Sequence, residues 1–175
     1  MVNWMAEKLL GWIARSLLLL ASLLAFALCF LVVADVIGRA GFNHPVQGTP
    51  EIVSSSIVVI CYLMATYAIL SGGMMEVTLV TDILPPVPRA LLGAVTFLLG
   101  ALLFGLIGWG SVERFVTDWT SGAYEGEGAL RVPTWPVRLS VLVGSVLATL
   151  AYILLAIRAV RAAVRGEPFS SSITH

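Results

Sequence analysis

Residues 16–38 read SLLLLASLLAFALCFLVVADVIG, an apolar run whose one charged side chain, Asp35, lies near its end. A bilayer has a hydrocarbon core about 30 Å thick, and a helix of about 20 apolar residues crosses it. A secretory signal peptide also carries an apolar segment, but that segment is only about 7–15 residues long. The sequence therefore predicts an uncleaved first membrane span.

Three further apolar runs follow, at 52–70, 90–112 and 137–157. The composition agrees with a membrane chain, because 59% of the 175 residues are hydrophobic, 11% are charged and the mean hydropathy is +0.98. Soluble domains are about 45–50% apolar and about 25% charged. The predicted fold class is an all-α integral membrane protein with four transmembrane helices. Residues 1–165 are predicted to form a single membrane domain, and residues 166–175 a disordered tail.

The segment before the first span is amphipathic. At 100° per residue, Trp4, Leu9 and Trp12 share one helix face, whereas Glu7 and Gly11 lie on the other. This pattern predicts a separate helix over residues 3–15 that lies in the membrane interface. A plain extension of the first span is the alternative.

The distribution of basic residues predicts the orientation. With four spans, both termini and the connection between the second and third spans lie on one side of the membrane. That side carries six of the ten Lys and Arg residues: Lys8, Arg15, Arg89, Arg158, Arg161 and Arg165. Cytoplasmic segments carry an excess of Lys and Arg, so both termini are predicted to be cytoplasmic.

Several function classes are excluded by the composition. Ten Lys and Arg residues are matched by ten Asp and Glu residues, which leaves no basic excess for nucleic acid. The two cysteines, Cys29 and Cys61, lie inside predicted spans and form no C-x-x-C motif, and only two histidines are present. No cofactor, metal site or catalytic group is expected, and we predict that the chain is not an enzyme.

One ionic cluster is predicted at the outer end of the first two spans. Asp35 and Arg39 are four residues apart on one helix face and can form an ion pair. Glu51, just after the connecting turn, is a second possible partner for Arg39. The second helix is predicted to begin at Thr49 as N-cap, followed by Pro50 at the first helical position. We interpret Asp35, Arg39 and Glu51 as a structural ionic latch, with ion coupling by Asp35 as the alternative.

Small residues at helical spacing predict close helix packing in the last two spans. Such residues let membrane helices approach each other closely. They are Ala101 and Gly105 in the third span and Ser140, Gly144 and Ala148 in the fourth.

The connection of residues 113–136 is the longest on the outer side. Its first part, VERFVTDW, is predicted to extend the third helix beyond the membrane. The connection is acidic, and Trp119 and Trp135 suit the interfacial aromatic belt.

The order of these features resembles the DctQ-like small membrane subunit of tripartite ATP-independent periplasmic (TRAP) transporters. The resemblance covers about residues 17–165 and rests on ADVIGR at 34–39, FNHP at 42–45, GTPE at 48–51, DILP at 82–85 and LRVPTW at 130–135, with Gly144 in the fourth span. Each motif is weak alone, but their order and spacing on a four-span chain are fairly specific.

The resemblance implies a role and partners. A DctQ-like chain is expected in the bacterial inner membrane beside a large DctM-like transport subunit, which moves the solute by a sodium-driven elevator mechanism. A periplasmic DctP-like binding protein delivers the solute, usually an organic acid. The small subunit is then expected to be a static scaffold that stabilises the large subunit and helps to dock the binding protein, in contact with the lipid bilayer. On this resemblance, the candidates for docking in the outer loop are Glu113, Asp118, Glu125 and Glu127, with a solvated loop as the alternative, and Pro133 and Trp135 are expected to set the outer re-entry of the fourth span.

Two other functions were weighed. A self-sufficient exporter of the small multidrug-resistance type has four short spans, but it depends on an acid in the middle of the first helix, and Asp35 is near the end. A membrane redox enzyme is disfavoured by the cysteine and histidine counts.

Overall fold

The computed structural model describes residues 2–44, 46–72, 85–125 and 132–165. Four helices account for most of them: α1 (Val2–Gly41), α2 (Thr49–Leu70), α3 (Pro86–Ser121) and α4 (Trp135–Arg165). All four are long and apolar enough to cross a membrane. Each predicted span lies within one of these helices, so the four-helix fold class is confirmed. The predicted tail, residues 166–175, lies outside the described residues.

Between α3 and α4 the chain forms a minimal antiparallel hairpin. Strand β1 (Tyr124–Glu125) pairs with β2 (Val132–Pro133), with Tyr124 opposite Pro133. The predicted extension of the third helix is present, because α3 continues to Ser121. At a rise of about 1.5 Å per residue, the part beyond residue 112 adds about 13 Å.

No separate N-terminal helix is seen, which corrects the prediction of an interfacial helix over residues 3–15. Residues 2–41 form one helix of 40 residues. No proline interrupts this segment, and Gly11 alone does not break the helix. Leu9 and Trp12 are 63% and 73% exposed, which agrees with an apolar face that points outward. The opposite face was expected to be polar and exposed, but Gly11 and Ala14 on that face are buried.

The helices pack in the order α1–α2–α4–α3. The α3–α4 pair has the most extensive contact, followed by α1 with α2 and α2 with α4, while α1 and α4 barely meet. Burial follows this order. In the most apolar part of each helix, 44% of α4 is buried against 6% of α1. The α4 helix is therefore the centre of the molecule, and α1 presents almost its whole surface outward.

The core lies where α2 packs on α4, with a small contribution from α1. Leu10 and Ala14 of α1 join Ile69 and Leu70 of α2 and a row on α4, with Ala101 of α3 also in this cluster. The α4 row consists of Ala148, Ala151, Tyr152 and Leu155. Two of these four residues are alanines, and small side chains let membrane helices approach each other closely.

The ends of α2 depend on glycine. The predicted N-cap was Thr49, but the structure places Gly48 there, with a φ of 79°, and the Thr49 hydroxyl donates to the Val46 carbonyl at 3.0 Å instead. Thr49 is thus the first helical residue and Pro50 the second, a shift of one position from the prediction. Past the other end, Gly72 adopts a φ of 68°, a left-handed conformation that favours glycine.

Candidate functional site

The Asp35 carboxylate joins the end of α1 to the turn that follows. Its Oδ2 accepts a hydrogen bond from Nη2 of Arg39 at 2.8 Å, and its Oδ1 accepts the backbone N–H of Val46 at 2.9 Å. The Asp35 side chain is 10% exposed, whereas that of Arg39 is 62% exposed. Both carboxylate oxygens are therefore occupied by local donors. Glu51 forms no ion pair with Arg39 in the described structure, so it does not join the other two residues of the predicted latch.

The turn between α1 and α2 is tightly folded around Gly38. The carbonyl of Gly38 accepts the N–H groups of Phe42 at 3.2 Å and His44 at 2.9 Å. A Cβ atom on Gly38 would lie only 2.7 Å from the His44 carbonyl oxygen, and Asn43 has a φ of 51°. Glycine is thus required at position 38 by a close backbone approach. The turn holds Phe42 outward, 78% exposed.

The turn between α3 and α4 is built on Ala123 and Thr134. Both the backbone N–H and the hydroxyl of Thr134 donate to the Ala123 carbonyl, at 3.1 Å and 3.0 Å. The N–H of Ala123 in turn donates to the Asp118 carbonyl at 3.2 Å. These bonds fix the direction in which α4 leaves the hairpin.

An ion pair that sequence reasoning missed links α3 to α4. Nε of Arg138 lies 3.2 Å from Oδ2 of Asp118, with side-chain exposures of 36% and 19%. The two residues are 20 positions apart, and no local spacing rule connects them. The pair forms because the α3–α4 hairpin brings the end of α3 beside the start of α4.

The candidate docking residues lie in different structural surroundings. Asp118 is turned toward Arg138, whereas Glu113 is exposed on α3. Glu125 lies in β1, and Glu127 lies outside the described residues. Pro133 pairs opposite Tyr124, and Trp135 begins α4 with its ring 5.1 Å from that of Trp119 in an edge-on contact.

The small residues of α4 lie at its closest contacts. A Cβ on Gly144 would lie 2.6 Å from the Tyr62 carbonyl oxygen of α2, and Ser140 and Ala148 are buried on the same side. Toward α3, Gly108 meets the Ser145 hydroxyl and Gly100 meets the Tyr152 ring. Ala101 is buried, but Gly105 is loosely packed, because its nearest neighbour would be a Thr149 methyl group at 3.9 Å. The roles predicted for these residues remain predictions.

The chemistry available to this arrangement is limited. Within the described ranges, no three His, Cys, Asp or Glu side chains come together as metal ligands. Of the seven buried polar side chains described, six are hydroxyls and only Asp35 is charged. The described features can hold helices and turns in place, but they do not assemble a reactive group with an activating partner.

Comparison with known proteins supplies the family. The model of the tripartite ATP-independent periplasmic transporter DctQ component matches residues 28–162. Searches of curated proteins and of solved structures found no match. The family match covers most of the chain, including the Asp35 turn, the Asp35–Arg39 and Asp118–Arg138 ion pairs and the packing face of α4. The chain therefore belongs to the DctQ family, the small permease component of TRAP transporters, and is a multi-pass membrane protein.

Proposed function

We propose that this chain is the static scaffold subunit of a sodium-driven TRAP transporter for organic acids. It stabilises the large transport subunit in the bacterial inner membrane and contributes an outer surface on which the periplasmic binding protein docks. Both termini lie in the cytoplasm, as the distribution of Lys and Arg favours. Membership of the DctQ family supports the role as a transporter subunit.

The polar inventory of the described helices carries this proposal. A transport pathway needs polar groups that face a cavity near the middle of the membrane. Here the hydroxyls of Ser22, Thr96, Ser111 and Thr149 donate to carbonyls of their own helices. Asp35 is buried near the end of α1, with both oxygens engaged. A chain with this pattern is suited to holding a neighbour in position rather than to carrying a solute.

Anchoring is supported by the turns and the packing order. An elevator mechanism requires one part that stays in place while the other moves. The two outer turns are braced by backbone hydrogen bonds and ion pairs, and the open order α1–α2–α4–α3 leaves α1 and α3 at the edges. Such a series of helices widens the membrane-anchored part of a larger complex.

Glu113 is our principal candidate for contact with the binding protein. It is exposed on the part of α3 that extends beyond the predicted span. Asp118 is a weaker candidate because Arg138 already neutralises it. Glu125 and Glu127 remain candidates on the basis of sequence.

A pull-down of the tagged full chain from its native membranes in mild detergent tests the subunit role. We expect recovery with one much larger multi-span protein at one-to-one stoichiometry, and solute uptake that requires both proteins together with a binding protein. Recovery of the chain only as a monomer or homodimer would contradict the scaffold role. That result would favour the small exporter, a function that the family assignment does not support.

A further inference from the structure

A groove of about 300 Å³ runs between α3 and α4 and opens to the outside of the molecule. Gly105 and Gly108 of α3 leave room for it, and Phe104, Trp109, Leu142 and Leu150 are among its walls. Thr149 also lines the groove, but its hydroxyl donates to the Ser145 carbonyl at 2.8 Å, and its methyl group faces Gly105. The surface offered by the groove is therefore apolar.

The groove and the part of α3 that continues beyond it together match the thickness of one leaflet of a bilayer. From Phe104 to Trp119, α3 rises about 22 Å at 1.5 Å per residue. Half of the hydrocarbon core is about 15 Å thick, and headgroups add several ångströms. The edge-on pair of Trp119 and Trp135 lies at the outer end, where tryptophan side chains meet lipid headgroups. The residues that line the groove on α3, Phe104 to Val112, span about 12 Å of this rise, and the tryptophan pair lies beyond the end of the groove.

A basic side chain lies near the end of this groove that is closer to the α3–α4 turn. Arg138 lies one helical turn beyond Leu142, and its side chain is 36% exposed. Asp118 accepts from Nε of Arg138, so the two terminal guanidinium nitrogens can donate to another anion. Guanidinium groups bind phosphate oxygens well because their N–H donors match them geometrically.

We propose that the α3–α4 groove is a binding site for one phospholipid. An acyl chain lies along Gly105 and Gly108, and the phosphate contacts Arg138 beside the tryptophan pair. The partly exposed guanidinium favours a phospholipid over a partner helix, because a phosphate supplies an anion for the Arg138 nitrogens that Asp118 leaves available.

Two glycine substitutions on α3 provide a matched test. Gly105→Leu places a side chain in the groove, since a Cβ there meets nothing closer than 3.9 Å. Gly110→Leu adds the same side chain where no atom lies within 4 Å, outside the groove. The full chain is purified in mild detergent, and retained phospholipid is counted by native mass spectrometry. We expect about one phospholipid per chain for the unchanged protein and for Gly110→Leu, and occupancy lower by about tenfold or more for Gly105→Leu.

The headgroup contact is tested by competition. After delipidation, the chain is offered phospholipid or diacylglycerol, which lacks the phosphate, and only the phospholipid is expected to bind. Equal retention by Gly105→Leu and Gly110→Leu would overturn the proposal, as would equal binding of diacylglycerol. If the isolated chain held no phospholipid but Gly105→Leu lost the large subunit in a pull-down, the groove would belong to a protein partner instead. Because lipid is counted on the isolated chain, failure here is distinct from failure of the scaffold role.

Discussion

Gly144 of α4 lies against the backbone of Tyr62 in α2, so closely that a Cβ at position 144 would be 2.6 Å from the Tyr62 carbonyl oxygen and 2.8 Å from its Cβ. The first is a main-chain atom and the second is the first atom of the side chain, so neither can move away by side-chain rotation. This contact joins the α1–α2 pair to the α3–α4 pair, because α4 is the helix that packs on both α2 and α3. The relative position of the two pairs thus depends on the absence of a side chain at position 144.

Gly144→Ala is expected to destabilise the chain. The added methyl group forces α2 and α4 apart, and overpacking of this kind costs roughly 1–3 kcal/mol. Thermal unfolding in detergent measures the effect as a lower Tm. Gly110→Ala is the control, since nothing lies within 4 Å of its added Cβ. Equal Tm values for the two variants would show that the helices separate without cost.

Asp35→Asn is expected to weaken the turn between α1 and α2 but to spare transport by the assembled complex. The amide retains an oxygen for the Val46 N–H and loses the charge that pairs with Arg39, which is largely exposed, so we expect a loss of only about 1 kcal/mol. Asp35→Ala leaves the Val46 N–H without its acceptor and should cost roughly 1–3 kcal/mol. Unfolding of both variants and sodium-dependent uptake are measured together. An intact Asp35→Asn complex that had lost ion coupling would show that Asp35 is more than structural.

Exchanging Asp118 and Arg138 should preserve or raise stability. Asp118 lies in the last turn of α3 and Arg138 in the first turn of α4, so each charge opposes the dipole of its own helix. Asp118→Arg together with Arg138→Asp restores the ion pair and places each charge at its favourable helix end, which is worth roughly 0.3–1 kcal/mol per site.

Each single exchange should instead be destabilising, because it brings two like charges together at the α3–α4 junction. A double-mutant cycle from unfolding curves of the four proteins separates the two effects. A double exchange less stable than both single variants would mean that the pair depends on a geometry that the swapped side chains cannot reproduce.

The sequence was sufficient for the features that depend on local spacing. The four apolar runs predicted the four helices, and the spacing of four residues predicted the ion pair between Asp35 and Arg39. Contacts between residues that are distant in the sequence could not be predicted. The Asp118–Arg138 pair spans 20 positions, and the contact of Gly144 with Tyr62 depends on which helices are neighbours, which single-chain periodicity does not encode.

The two local errors have physical causes of their own. Amphipathicity at residues 3–15 predicted a separate helix, but the pattern says only which face is apolar, not whether the helix ends. Position 49 was chosen as N-cap because threonine is a good capping residue, yet Gly48 adopts the left-handed conformation that the tight turn requires, and this moves the start of the helix by one residue.

Glu113→Gln is expected to slow association with the periplasmic binding protein and to leave the stability of the chain unchanged. Glu113 is exposed on the part of α3 that extends beyond the predicted span, and charges at the rim of an interface act mainly on the association rate. The effect should shrink as salt is raised, because the Debye length falls from about 10 Å at 0.1 M to about 3 Å at 1 M. Association is measured by surface-immobilised binding to the reconstituted complex. Arg114→Gln, the adjacent residue of opposite charge, is the control and should not slow association. If both variants bound at the unchanged rate at low salt, the binding protein would have to dock elsewhere on the complex.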